Sequence, residues 1–179
     1  MMMTKFRGLG LSCLIWTALM AAVSAEEISL DPVTVNLDLG NVGGYTIDVG
    51  DAVRASHCER PEFDYTIYPA TIESDDGRIE LEVHELDEPM EITIWVLEHC
   101  ILTAGFPSLS EEYEGSGESF TMDGHDGVRV TADDDDRTVY GAVYSPDENG
   151  GWGSLLFLIS SDLPWDVTET IFESVEVED

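Results

Sequence analysis

The sequence predicts an α+β fold, a mainly antiparallel sheet flanked by two helices, and three observations point there. Apolar and polar residues alternate with a period of two in short segments between residues 33 and 83, and again between 120 and 159. Two further stretches, Asp87–Gly105 and the one after Pro164, carry apolar residues at helical spacing. Glycine-bearing turn signals separate the segments, and neither an internal repeat nor a linker interrupts them, so one domain is expected.

The leading segment is a targeting signal by pattern. Lys5 and Arg7 precede an apolar run from Leu9 to Val23, and the small residues Val23, Ser24 and Ala25 close it. That order predicts a secretory signal peptide over residues 1–25, cut after Ala25, and a mature domain over 26–179. An uncleaved anchor is the alternative. Gly8, Gly10, Ser12 and Thr17 dilute the run, and its small-residue exit favours cleavage, so no stable membrane span is expected afterwards. Cys13 lies at the start of the run, the wrong end for attachment of a lipid.

In the mature part, Val33, Val35, Leu37 and Leu39 alternate with Thr34, Asn36 and Asp38, the mark of a half-buried strand. Gly40–Gly44 turn the chain, and Tyr45, Ile47 and Val49 predict its hairpin partner. After a polar stretch over 51–62, Phe63, Tyr65, Ile67 and Tyr68 lead into another strand. Asp76-Gly77 is a tight turn, and Ile79, Leu81 and Val83 alternate with Glu80, Glu82 and His84. The expectation is a sheet with one dry and one wet face, His84 on the wet one.

Over Asp87–Gly105, Ile92, Thr93, Ile94 and Val96 favour a strand by β-branching. A cap at Asp87 or Glu88, Pro89 in the first turn, and the stripe of Met90, Ile94, Leu97, Ile101 and Ala104 favour a helix, which is the expected form. A polar loop over 108–118 follows, then strands built on Phe120 and Met122, on Val128 and Val130, and on Val139–Tyr144. Asp123-Gly124, Asp126-Gly127, the acidic run Asp133–Asp136 and Asn149-Gly150 read as turns. Leu155–Ile159 is apolar on both faces and belongs in the middle of a sheet. Pro164 opens the last helix, with Val167, Ile171 and Phe172 as its buried stripe, and Val175 and Val177 close the chain.

Charge narrows the function classes. Removing the signal leaves five arginines, no lysine and all 38 carboxylates, a formal charge of −33. Nucleic acid and anionic lipid are excluded as partners, since binding either requires cations. The surface is that of a salt-adapted protein, or of one with affinity for polyvalent cations.

The two mature cysteines, Cys58 and Cys100, predict one disulfide in an oxidising exterior. It would close a loop of about 42 residues, worth on the order of 4 kcal/mol in the chain-entropy model. His57-Cys58 and His99-Cys100 also raise a zinc site or a catalytic thiol. Adjacent side chains diverge on either a strand or a helix, however, and the spacing fits no zinc knuckle. Asp133, Asp134, Asp135 and Asp136 are candidate Ca²⁺ ligands, since hard cations favour several oxygens, with a solvated turn as the plain reading. His125 is expected in an exposed turn. Tyr140, Tyr144, Trp152 and Trp165 form either core or a binding platform. No G-x-S-x-G elbow, HExxH or phosphate loop occurs.

The succession TMDGHDGVRV, VYGAVYSPD and SLLFLISSDLPWDVTETIFESVEV, over residues 119–178, resembles the tail of PsbP-like domains and of uncharacterised secreted archaeal proteins. The resemblance implies an α-β-α sandwich and transfers no functional residue. The expectation is therefore an exported, non-catalytic domain that meets a protein or cell-surface component. A Ca²⁺-binding accessory module and a hydrolase with an unrecognised site are the alternatives.

Overall fold

The structure is a computed structural model and describes residues 25–55, 64–104, 114–134 and 137–178. A large antiparallel sheet is built from β3 (Thr46–Val49), β4 (Val53–Ala55), β5 (Tyr65–Glu73), β6 (Arg78–Glu91), β7 (Glu114–Met122), β8 (His125–Asp134), β9 (Arg137–Tyr144) and β10 (Trp152–Ser161). Its order is β3-β5-β6-β10-β9-β8-β7, with β4 also pairing β5. A second sheet, β1-β2-β11, unites β1 (Ala25–Leu30), β2 (Val33–Asp38) and β11 (Glu176–Glu178). Helix α1 covers Ile94–Ala104 and α2 covers Trp165–Ser174. The class is α+β, as the periodicities predict.

The seam is β10. It pairs Phe157 with Val83 of β6 and with Tyr144 of β9, joining the two clusters of strands into one sheet. Leu155, Phe157 and Ile159 enter one core, with Val35, Leu37, Leu81, Val83, Tyr144, Ile171 and Phe172 from the small sheet, the large sheet and α2. Leu156 and Leu158 enter the other, with Leu97 and Ile101 of α1 and Val128, Val130 and Val143. The helices thus lie on opposite faces of the large sheet, and the small sheet shares the face of α2. The unbroken apolar run in β10 is the signature of a strand packed on both sides.

Several expectations are corrected. Tyr45–Val49 pairs with β5 rather than with β2, whose hairpin partner is the unforeseen β1. The sheet has no wholly wet face, because α1 covers part of the second one and His84 is only 3 % exposed. The segment Asp87–Gly105 is divided: β6 runs through Pro89 to Glu91, and the helix starts at Ile94. Its first turn is capped by Thr93, whose Oγ1 accepts the Val96 N–H at 3.2 Å, and not by Asp87 or Glu88. Residues 114–118, expected in a loop, belong to β7, and Asp126-Gly127 lies within β8 instead of turning. Gly127 is required there because a Cβ would strike the carbonyl of Val143 on the neighbouring strand.

Asp76-Gly77 closes the β5–β6 hairpin as expected, and at the Asp123-Gly124 and Gly150-Gly151 hairpin turns both residues of each pair have positive φ, the geometry that matches strand twist. Among the described residues no helix is long and apolar enough to cross a membrane.

Because Phe157 is fully buried at the centre of the seam, Phe157→Ala is expected to destabilise the fold by about 3–5 kcal/mol, measured by chemical denaturation at fixed salt.

Candidate functional site

Strand β6 and the β9–β10 hairpin end at the same corner of the molecule. Trp152 pairs with Glu91 and Gly153 with Met90, and the Ile92 N–H donates to the Gly151 carbonyl at 2.7 Å. From there Thr93 starts α1, so Trp95 stands three residues beyond Ile92, a reach of about 10 Å at most. Trp95 is 71 % exposed, Trp152 55 % and Ile94 45 %. Among the described residues only Val49 and Val53 are other large apolar side chains so exposed, and they belong to β3 and β4, which pair with β5. Trp95 lies nearly parallel to His99, one turn along α1, with ring centroids 5.5 Å apart.

A half-buried carboxylate braces this corner. Asp147 accepts the Ser154 N–H at 2.8 Å, the Ser154 hydroxyl at 2.7 Å, the Leu155 N–H at 2.9 Å and the Ser145 hydroxyl at 3.1 Å. Burial works to raise its pKa, but the donors on Ser154, Leu155 and Ser145 together hold it below the ordinary value. The register shift in β10 falls at the same place, between Gly153 and Leu155. Only glycine fits at 153, since a Cβ would collide with Ser145 and Asp147.

The four expected aromatics separate. Tyr144 is buried, its hydroxyl bonded to Asp123 at 3.2 Å, and Tyr140 packs on Trp165 at the rim of the core. Arg129 lies over both Trp165 and Phe120 while binding Glu118. These three aromatics are structural, and Trp152 alone is presented to solvent. Trp95 escaped the sequence reading because it was counted within a mixed apolar run. With the buried stripe now placed at Leu97 and Ile101, position 95 falls outside it.

His84 forms a second cluster. Its Nε2 lies 2.7 Å from Glu82, and its ring stacks on Tyr65 at 5.0 Å. The imidazole is buried, while the Glu82 side chain keeps 20 % of its surface exposed. Cys100 packs at the edge of the α1 core, and burial pushes its thiol up to about 11, so it is not a thiolate nucleophile at neutral pH. Its expected partner Cys58 lies outside the described residues.

Of the acidic run, Asp133 and Asp134 end β8, and Asp133 accepts the Thr138 hydroxyl at 2.7 Å. Asp135 and Asp136 lie outside the described residues. Among the described residues no group of three or more His, Cys, Asp or Glu side chains is placed to hold a metal ion. His125 opens β8 opposite Met122 and stacks on Tyr144 at 5.6 Å, rather than occupying the turn. A cleft lined by Arg78, Glu80, Val139, Ser160, Ser161 and Asp162 has a volume of about 10 Å³, the lower limit for one water.

No family model matches the chain, and no curated protein or solved structure matches it significantly. Function therefore has to be argued from the sites themselves.

Two outcomes follow from this geometry. Asp147→Asn is expected to lower stability at neutral pH by about 1.5–3 kcal/mol, the range for hydrogen bonds to a charged group. Because the folded-state pKa is depressed, the Asp147 contribution is complete above the unfolded carboxylate value and fades as pH falls through the folded one. The wild-type and variant denaturation curves should accordingly converge as the pH is lowered through that window. For the cysteines, the disulfide expected from the sequence would show, in mass spectrometry of protein purified without reductant, as no alkylation of Cys58 or Cys100 before reduction and alkylation of both after it. Labelling without reductant would remove the disulfide.

Proposed function

We propose that the chain is an exported, non-catalytic extracytoplasmic domain that meets another protein or a cell-surface component through Trp95 and Trp152. The observation that carries this reading is the exposure of two indoles on one hydrogen-bonded junction. Tryptophan is favoured at protein interfaces because it offers a large apolar surface and a polar N–H from one rigid group. Leaving two in water together with Ile94 forgoes burial that the fold obtains for nearly every other large apolar side chain.

The leader pattern ending at Ala25 supports export. A cut there leaves Ile28 and Leu30, the buried residues of β1, in the mature domain. The order hairpin, aromatic strand, buried strand, helix and closing strand from β7 to β11 supports a PsbP-like scaffold, with α1 and α2 on opposite faces of the sheet. The small three-stranded sheet then serves as an additional cover over the face that holds α2.

The test is retention of the mature domain on the cell-surface fraction of the cells that export it, at native salt. Trp95→Ala combined with Trp152→Ala should weaken retention at least tenfold, as for hot-spot residues, while changing stability by no more than about 0.5 kcal/mol per site. Undiminished retention by a folded double variant would sink the proposal.

A further inference from the structure

The geometry points to a basic segment of a partner protein, bearing arginine or lysine, as the occupant of the Trp95–Trp152 corner; the inference rests on the contact role proposed above. The corner supplies aromatic faces and negative charge and neither lysine nor arginine; its one imidazole, His99, lies against one face of Trp95 and leaves the other face open to the partner. Glu88 and Glu91 are exposed on the end of β6, and Glu98 lies one turn after Trp95 on α1. The Glu148 carboxylate accepts the Gly151 N–H at 2.6 Å at the tip of the hairpin beside Trp152. Residues 88–99 and 147–153, which form the corner, include neither lysine nor arginine.

Among the described residues the four arginines are committed, and Arg60 lies outside them. Arg54 pairs with Asp87, Arg78 with Glu80, Arg129 with Glu118 and Arg137 with Asp162. None of those four is left over to balance the corner, and a basic segment of another molecule would supply the complementary charge. A guanidinium or ammonium over an indole face is attracted by the ring quadrupole, and a carboxylate beside the ring adds a charge-assisted hydrogen bond. Arginine suits both, being planar enough to stack and forked enough to bind a carboxylate.

Other occupants fit less well. A second copy of the chain brings another −33 of charge and no lysine, so its approach is repelled. A neutral glycan would stack on the rings but leave the surrounding carboxylates without a complementary charge. The basic partner also explains how a contact survives where salt is high. Ring stacking and close, partly desolvated ion pairs are screened much less than charges held apart in water.

The test is calorimetric titration of the mature domain with a short peptide of alternating arginine and glycine. It is run in about 1 M NaCl, where the screening length is only about 3 Å and diffuse attraction to the acidic surface is suppressed. Matched titrations use the glutamate–glycine peptide and cellohexaose. The arginine peptide should bind the wild type, bind Trp95→Ala/Trp152→Ala at least tenfold more weakly, and weaken on Glu88→Gln/Glu91→Gln; the glutamate peptide and the glycan should not bind. Circular dichroism of each variant checks that it is folded. Equal binding of the arginine peptide to wild type and the indole variant, or no binding to either, overturns the inference. Indole-dependent binding of cellohexaose alone overturns the basic partner but leaves the corner as a contact site. If the indole variant also keeps its retention on the cell-surface fraction, the contact role falls too.

Discussion

Strand β10 must satisfy apolar packing on both faces while pairing on both edges, and the other layers are arranged around that demand. Because side chains alternate along a strand, a slip of one residue would exchange Leu155, Phe157 and Ile159 with Leu156 and Leu158 and send each set to the wrong core. Two apolar faces do not by themselves discriminate strongly between those registers. Asp147 does, since its carboxylate accepts the N–H groups of both Ser154 and Leu155 just where the pairing with β6 shifts. One half-buried acid thereby favours the register in which Leu156 and Leu158 face α1 and Leu155, Phe157 and Ile159 face the small sheet.

The same reliance on carboxylates as acceptors runs through the domain. With no lysine after Lys5, acidic groups find their donors among backbone N–H groups, serines and tyrosines. Tyr45 donates to Glu26, Tyr68 to Glu85 and Tyr144 to Asp123. The bonds to Glu26 and Glu85 are the leading cause that raises the pKa of Tyr45 and Tyr68, whereas burial leads for Tyr144. Each phenol is held as a donor. Asp123 also accepts the Val177 N–H at 3.0 Å, tying the β7–β8 turn to the closing strand. Neutral donors let an acid-rich chain settle its partly buried carboxylates without drawing on its few arginines.

Much of the architecture was legible because periodicity reports burial directly. Leu155–Ile159 was readable as a central strand, Ile171 and Phe172 as the buried stripe of the last helix, and Asn149-Gly150 as a turn. What failed was pairing, which depends on contacts distant in sequence: Tyr45–Val49 has the pattern of a partner for β2 yet pairs with β5. His84 was misplaced because its alternation with Val83 predicts the face opposite the main core but not that α1 and Tyr65 cover that face. The division at Glu91 was hidden because Pro89 and Glu91 look like a first helical turn. In the fold the β9–β10 hairpin supplies β6 with a partner as far as Glu91. Of the candidate site, Trp152 was visible from its glycine-rich turn. Trp95 became visible only once the start of α1 was placed.

Neither indole is explained by what folding requires. The buried side of α1 is supplied by Leu97 and Ile101, and a polar residue at 95 would serve the helix as well. The Gly150-Gly151 turn demands positive φ at its two centres and nothing aromatic after them. Both side chains nevertheless stand where the backbone is most firmly held, between the Ile92–Gly151 hydrogen bond, the Thr93 cap and the Asp147 brace. A contact surface gains from that placement, because ordering a mobile aromatic on binding would subtract from affinity while a group already ordered binds without that loss. Rigid support beneath exposed apolar rings is what a docking site requires, and it is the opposite of what a solvated loop would need.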